Sequence, residues 1–129
     1  MIRLIFCLRR LPHLSRAEFQ RYWREHHAPL VRSHAETLGI RRYVQAHTAA
    51  DPAHEALRAS RGGPEAYDGV AELWWDGAAE VERVLATPEG RAASLALLED
   101  ERRFIDLAAS PLWWVDDENV VISQWRPST

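Results

Sequence analysis

Two adjacent pairs of tryptophans, Trp74–Trp75 and Trp113–Trp114, constrain the fold of this chain more than any other feature. Each pair lies in a strand-like segment, and neighbouring residues of a strand point to opposite faces of the sheet. Each pair therefore places one indole on either face. A sheet with large apolar side chains on both faces must be covered on both, so we expect helices over one face and a second subunit over the other.

Length and composition favour a single domain over residues 1–129, because 47% hydrophobic and 27% charged residues are typical of a soluble globular protein. The net charge of −3, with acids interspersed among the arginines, gives no reason to expect nucleic acid as a partner. No apolar run approaches the ~20 residues of a membrane span. The N-terminal apolar stretch is broken by Arg3 and lacks a cleavage site of small residues, so the expected location is the cytoplasm.

The spacing of apolar residues predicts four strands and three main helices. Ser15 and Glu18 have the form of a capping box at the start of the first helix, and Gly39 suits the position just past its end. The last helix is expected to continue through Leu95 and Leu98. Strands are predicted over residues 2–9, 40–48, 67–75 and 113–115 with 119–125, helices over 15–38, 78–86 and 88–105, and a loop over 49–66 with one helical turn at 53–60.

The resulting order, β-α-β-β-α-β with one extra helical piece, is that of the split βαβ, or ferredoxin-like, α+β fold. In this fold one four-stranded antiparallel sheet carries its helices on one face. Because the tryptophan pairs indicate that the second face is also apolar, we expect two sheets to pack face to face in a homodimer.

The segment Phe19–Val31 combines aromatic residues, two adjacent histidines and a proline within one predicted amphipathic helix. Pro29 has no backbone N–H, so it cannot donate the helical hydrogen bond to the carbonyl of Glu25. We therefore expect an irregular turn around His26 and His27, with one backbone acceptor freed. Because histidine changes charge near neutral pH, a histidine beside buried aromatic rings is a candidate for proton transfer.

Several stretches follow one another in a recognisable order along the chain. They are Tyr22–Trp23, His27–Val31, Arg42–His47, Asp68–Trp74 and Asp100–Asp106. Together they resemble the EthD family, over roughly residues 2–122. The resemblance implies a dimeric α+β barrel, a homodimer whose two sheets face each other. The loop over 51–67 is longer than the family pattern, and we expect it to border the pocket.

The resemblance places the family's motif histidine at His27. We expect His27 to act as a general acid or base in a cleft between helices and sheet, near Tyr22, Trp23 and Tyr43. The alternative is a structural role, in which the ring satisfies a backbone group such as the carbonyl released by Pro29. His26 is either a partner of His27 or a solvated side chain.

Further site residues are expected on the second strand and around the helix. Tyr43, Gln45 and His47 share one side of the strand, which is too polar for a plain core and suits a cavity wall or a polar dimer contact. Tyr22, Tyr43 or His47 is expected to donate a hydrogen bond to a substrate oxygen. The expected catalytic residues are His27, Tyr22 and His47, and the expected substrate-binding residues are Trp23, Leu30, Tyr43, Gln45, Trp74 and Phe104.

No metal is expected, because the histidines are not spaced for joint ligation and the single cysteine cannot build a structural zinc site. No cofactor is expected either, although a histidine in an apolar pocket keeps haem open as an alternative. Asp68 and Glu72 are expected on the same side of one strand. They could orient a histidine, but salt bridges to arginines are the favoured interpretation.

Two functional hypotheses follow. Because fold relatives of the EthD family include cofactor-free monooxygenases, polyketide cyclases and muconolactone isomerases, the resemblance implies small-molecule chemistry. The first hypothesis is a cofactor-independent enzyme that uses histidine proton transfer on a small hydrophobic or aromatic carbonyl metabolite, as a dehydratase, cyclase, isomerase or monooxygenase of catabolism or secondary metabolism. The second is a non-catalytic accessory or hydrophobic-ligand-binding protein of an oxygenase or degradation pathway.

Overall fold

The computed structural model describes residues 1–124 and 126, and its centre is one antiparallel sheet of four strands. The strands are β1 (Ile2–Leu8), β2 (Arg42–His47), β3 (Gly69–Trp75) and β4 (Leu112–Val115). Their order in the sheet is β2-β3-β1-β4, and every neighbouring pair is antiparallel. This is the ferredoxin-like order that the sequence predicts.

The first predicted helix forms as one continuous run of three pieces. Ser15 caps it, accepting a hydrogen bond from the Glu18 backbone N–H while the Glu18 side chain accepts from Ser15, and Gly39 follows it in the left-handed conformation with φ of 72°. The pieces are α1 (Arg16–Tyr22), a π-helical segment (Trp23–His27) and α2 (Ala28–Leu38).

The later helices are α3 (Ala53–Ser60), α4 (Ala78–Leu85) and α5 (Pro88–Glu101), and a 3₁₀ turn (Leu107–Ala109) follows them.

The alternation along the strands separates two faces of the sheet. Phe6 and Leu8 are buried on the face that the helices cover, as is Trp75, whose Nε1 donates to the backbone oxygen of Leu38 at 2.7 Å. Trp74 lies on the opposite face, where the guanidinium carbon of Arg3 is 5.3 Å from its ring centroid. One indole of this pair therefore faces each side of the sheet.

The core is continuous with the aromatic segment of the first helix. Phe19, Trp23 and Phe104 are at most 1% exposed, and the ring centroid of Phe19 lies 5.7 Å from that of Trp23 and 5.4 Å from that of Phe104. Gly69 lets Trp23 pack directly on β3, because a Cβ at position 69 would lie 2.4 Å from the indole ring. The packing fixes the helix turn that follows Trp23 against the sheet.

Two sequence predictions need correction. Residues 119–124 are not a strand: Val120, Val121 and Ile122 are 69–82% exposed and have no neighbouring strand to pair with in the described chain, while Trp125 lies outside the described residues. The last helix is also shorter than predicted, because α5 ends at Glu101 and not near residue 105. Leu95 is 51% exposed, and the buried positions are Gly90, Ala93, Leu97 and Asp100.

Candidate functional site

A cavity of about 340 Å³ lies between the helix-covered face of the sheet and the helices α2, α4 and α5. Few of the residues along its wall carry polar side-chain groups; these include His27, Tyr43, Ser94 and Glu101. An apolar cleft with a few polar groups is the usual form of a small-molecule site. Much of the remaining wall is apolar and includes Val31, Leu38, Leu73, Trp75, Leu97 and Trp114.

The irregular turn predicted at Pro29 takes the form of the π-helical segment. Here the N–H of Ala28 bonds to the carbonyl of Trp23, five residues earlier. Short π segments of this kind occur often at functional sites. The same Trp23 carbonyl also accepts a hydrogen bond from the side-chain amide of Gln45 at 3.0 Å. The segment thus ties the helix to β2 at the turn that carries His27.

His27 forms a buried pair with Asp100, the penultimate residue of α5. The His27 Nδ1 lies 2.7 Å from the Asp100 Oδ2, and the two residues are 5% and 8% exposed. The other Asp100 oxygen accepts from the hydroxyl of Tyr22 at 2.6 Å. Because a carboxylate that accepts on both oxygens leaves Nδ1 as the donor, we assign the ring proton to Nδ1. The Nε2 makes no hydrogen bond to any described residue and is free to act as a base.

The pKa of His27 lies below the ordinary histidine value. Burial among apolar groups disfavours the imidazolium, and the hydrogen bond and charge of Asp100 oppose this effect only in part. The ring is therefore neutral at neutral pH. A neutral imidazole held in one tautomer by a carboxylate is the arrangement that activates a histidine base.

Tyr43 also lines this cavity, and two hydrogen-bond donors hold its hydroxyl oxygen in place. Its oxygen accepts from the Trp23 Nε1 at 3.1 Å and from the Gln45 side-chain amide at 2.9 Å. The Tyr43 proton has no acceptor among the described residues. The pKa of Tyr43 lies above the ordinary tyrosine value. Burial and the negative charge of Glu101 raise it, and the hydrogen bonds that Gln45 and Trp23 donate lower it in part. The neutral hydroxyl is thus a donor for an oxygen of a bound molecule.

Several predicted site residues lie behind the wall rather than on it. Tyr22 donates to Asp100 and so positions the His27 partner. Gln45 orients Tyr43, and His47 in turn bonds to the Gln45 side-chain oxygen through Nε2 at 2.9 Å and packs on Trp23. Neither Tyr22 nor His47 lines the cavity, so neither would contact a molecule bound there.

Three of the residues predicted to bind substrate, Leu30, Trp74 and Phe104, do not line the cavity. Phe104 is fully buried and its ring centroid lies 5.0 Å from that of His27, and Leu30 packs on the cluster of Val31 and Leu97; neither lines the cavity. Trp74 does not line the cavity, because its side chain points to the opposite face of the sheet. The cavity is lined by the neighbouring Trp75, whose side chain points to the helix-covered face. The loop over 51–67 does not border the cavity.

Asp100 and Glu101 are not among the site residues expected from the sequence. The spacing in the sequence does indicate that Asp100 is buried. Ala93, Leu97, Asp100 and Phe104 follow one another at intervals of three and four residues, as on one face of a helix, and all four are buried. An acid within an apolar helical stripe is a buried polar group that needs a partner.

Asp68 belongs to a structural ion-pair cluster and not to the cavity. Its side chain is fully buried and its Oδ1 lies 2.6 Å from the Arg10 Nη1 and 3.0 Å from the Arg16 Nε. Glu72 pairs separately with Arg3 at 3.6 Å. The salt-bridge interpretation of the two acids is therefore correct, and they do not act together.

Two further properties concern only residues 1–124 and 126. This part of the chain contains no cluster of three or more His, Cys, Asp or Glu side chains that could hold a metal ion. None of its helices has the length and apolar character needed to cross a bilayer.

The strand order and the helices on one face define a ferredoxin-like α+β domain, with an apolar cavity that is lined by the histidine of a buried His–Asp pair. The chain belongs to the EthD family, since the model of the EthD domain matches residues 11–108, more than half of its length. A search of curated proteins finds no match.

Solved structures share the fold. An EthD family protein of Bacillus halodurans C-125 is 20% identical, with a TM-score of 0.59, 92% of this chain and 99% of that chain covered. A dimeric ferredoxin-like protein of unknown function from Bacteroides fragilis NCTC 9343 is 10% identical, with a TM-score of 0.56 and coverages of 90% and 95%. A point mutant of SnoaB, a cofactor-independent oxygenase from Streptomyces nogalater, is 16% identical, with a TM-score of 0.52 and coverages of 95% and 97%.

Proposed function

We propose that this EthD family member is a cofactor-independent enzyme that transfers a proton on a small hydrophobic or aromatic carbonyl compound. The observation that carries the proposal is the His27–Asp100 pair, with Nδ1 and Oδ2 2.7 Å apart, on the wall of the apolar cavity that Tyr43 also lines. A base and an oxygen donor in a water-poor site are the two parts that enolate chemistry requires.

In the proposed reaction the ligand carbonyl accepts a hydrogen bond from the Tyr43 hydroxyl. His27 Nε2 removes a proton from the carbon beside the carbonyl, and Asp100 stabilises the imidazolium that forms. Trp23 and Gln45 increase the acidity of Tyr43 by donating to its oxygen, so the donor interacts most strongly with the negative oxygen of the enolate. Dehydration, cyclisation, isomerisation and cofactor-free oxidation can all begin with this step. The SnoaB oxygenase has the same fold and needs no cofactor, in agreement with such a site.

Deuterium exchange tests the proposal with simple ketones, whatever the natural substrate is. Aromatic ketones such as 4-phenylbutan-2-one are incubated in D₂O with the protein, and deuterium at the carbons beside the carbonyl is measured by NMR. We expect catalysed exchange that falls about 100-fold or more in His27→Gln, because general-base catalysis contributes on that order. Asp100→Asn should lose a similar factor through the wrong tautomer.

His26→Gln is the matched control, because its ring is exposed and lies outside the His27 cavity. It should retain exchange within about two-fold, as expected for a group without a role in general-base catalysis. Exchange that is equal in wild type, His27→Gln and His26→Gln would contradict the proposed base.

The second candidate function is a carrier that binds a hydrophobic metabolite without turnover. The predominantly apolar wall of the cavity favours this function, because burial of apolar ligand surface requires no reacting group. Under this alternative the ketones bind, as measured by tryptophan fluorescence, but are recovered without deuterium.

We also propose a homodimer through the outer face of the sheet. Ile5, Val44 and Val70 alternate outward beside Trp74 and remain only partly buried. These side chains share the face with the Arg3–Glu72 ion pair, and a half-buried face of this mixed kind suits burial against a second copy; the Bacteroides fragilis structure is dimeric. Light scattering should give twice the chain mass for wild type and for the control Leu95→Arg on the outside of α5. Val44→Arg should give the monomer; a dimer unaffected by Val44→Arg would contradict this interface.

A further inference from the structure

Glu101 is a second titratable group on the cavity wall that proton abstraction by His27 does not use. It is the last residue of α5, directly after Asp100, and its side chain lines the cavity together with His27 and Tyr43. It is partly buried, and it forms no hydrogen bond or ion pair with any described residue. A carboxyl group without a partner in an apolar cleft is a functional-site candidate.

The surroundings of Glu101 favour its neutral acid. Burial and the adjacent charge of Asp100 raise the pKa of Glu101 to about 7. The other titratable groups on the same cavity wall are His27 from the π-helical segment and Tyr43 from β2, and both are uncharged at neutral pH. Near neutrality the cavity therefore contains a neutral base and a carboxylic acid at the same time.

No other acid on the described wall is available for proton donation. Asp100 accepts from His27 and Tyr22 with its two oxygens and carries no proton to give. The Tyr43 hydroxyl is the donor to the carbonyl oxygen in the proposed function. Ser94 is too weak an acid to supply a proton near neutral pH.

We propose that Glu101 is the general acid of this cavity and that its substrates are β-hydroxy ketones, from which water is eliminated. His27 removes the proton from the carbon beside the carbonyl, and that C–H electron pair becomes the new carbon–carbon double bond. The bond from the next carbon to its hydroxyl breaks, and Glu101 protonates the departing oxygen, which leaves as water. The imidazolium then returns its proton through solvent to the Glu101 carboxylate, so no oxidant or reductant is needed.

This inference rests on the proposed function, because it uses the same enolate. It adds that the base and the acid act on neighbouring carbons of one substrate. The two steps are separable in experiment: exchange beside the carbonyl needs His27, Asp100 and Tyr43 but not Glu101, whereas loss of the hydroxyl also needs Glu101.

The test compares two ketones with the same protein samples. Elimination is followed by the ultraviolet absorbance of the enone formed from 4-hydroxy-4-phenylbutan-2-one, and exchange is followed in D₂O with 4-phenylbutan-2-one, which has no leaving group. Glu101→Gln, Glu101→Asp and the control Glu99→Gln, an exposed acid of the same helix, are compared with wild type. Circular dichroism confirms that each variant is folded.

We expect Glu101→Gln to lose elimination about 100-fold or more while retaining exchange within about two-fold. Glu101→Asp should restore part of the elimination, Glu99→Gln should behave as wild type, and wild-type elimination should decline as the pH rises through about 7. Elimination that survives in Glu101→Gln, or exchange that is lost with it, overturns the role of Glu101. Exchange without elimination in wild type overturns this inference alone, and the absence of both in wild type overturns the proposed function with it.

Discussion

Replacing Glu101 by glutamine should change how the stability of the protein depends on pH. The folded-state pKa of about 7 lies above the ordinary value of 4.5, because burial and Asp100 disfavour the carboxylate. The protonated side chain therefore stabilises the folded state fully below about pH 4.5, and this contribution is lost as the pH rises through 7. Since one pKa unit corresponds to about 1.4 kcal/mol, the full change in the free energy of unfolding is about 3 kcal/mol.

Urea unfolding at pH values between 5 and 8 measures this change, with wild type, Glu101→Gln and the control Glu99→Gln in the same buffers. Glutamine has the shape of the acid but no charge, so its contribution does not vary with pH. The free energy of unfolding of Glu101→Gln minus that of wild type should therefore rise by up to about 3 kcal/mol from pH 5 to pH 8. Contributions of other titrating groups cancel in this difference.

A difference between Glu101→Gln and wild type that stays constant over this pH range would refute the reasoning. It would mean that Glu101 titrates as an exposed carboxyl and that the cavity is filled with water at this point. A decrease towards pH 8 would show that the Glu101 carboxylate has a cationic partner in solution.

Two further predictions concern the framework of the site. Gly69→Ala should lower the free energy of unfolding, measured with urea, by about 2 kcal/mol, because the new Cβ would overlap the buried ring of Trp23. The control Gly77→Ala should change it little, because no atom lies within 4 Å of the new Cβ. Asp68→Asn should lower the free energy of unfolding by about 2 kcal/mol at neutral pH, because it removes the charge of a fully buried carboxylate that pairs with the partly exposed Arg10. Burial raises the pKa of Asp68, but the hydrogen bonds from Arg10 and Arg16 lower it below 3.8 overall, so this contribution is present above pH 3.8 and is lost as the pH falls below that value. A wild-type stability in Asp68→Asn would contradict the assigned pair.

The sheet, its order and the main helices could be predicted because local patterns determine them. The capping box at Ser15, the left-handed Gly39 and the alternation in β1 each depend on neighbouring residues and on fixed periods of two or 3.6 residues. The residues at 119–124 have the composition of a strand, but pairing needs a partner edge, which sequence composition does not specify.

The site was predicted in part. A motif and the strand alternation single out His27, Trp23 and Tyr43 in the sequence, and all three line the cavity. Asp100 lies 73 positions away from His27 in the sequence, and only the packing of α5 on the π-helical segment brings them together. The proposed role of Glu101 could not be predicted for the same reason, because it depends on burial and on a neighbouring charge, which are properties of the folded chain.

The protonation state of His27 tests the central claim most directly. Nitrogen-15 NMR of the imidazole ring distinguishes protonated from unprotonated nitrogen in the free protein and after addition of a stable enol that mimics an enolate. We predict a neutral ring at neutral pH with the proton on Nδ1, and conversion to the imidazolium when the enol binds and transfers its proton to Nε2. A ring that carries its proton on Nε2 in the free protein, or that stays unchanged with the enol bound in the cavity, would contradict the claim that His27 is the base.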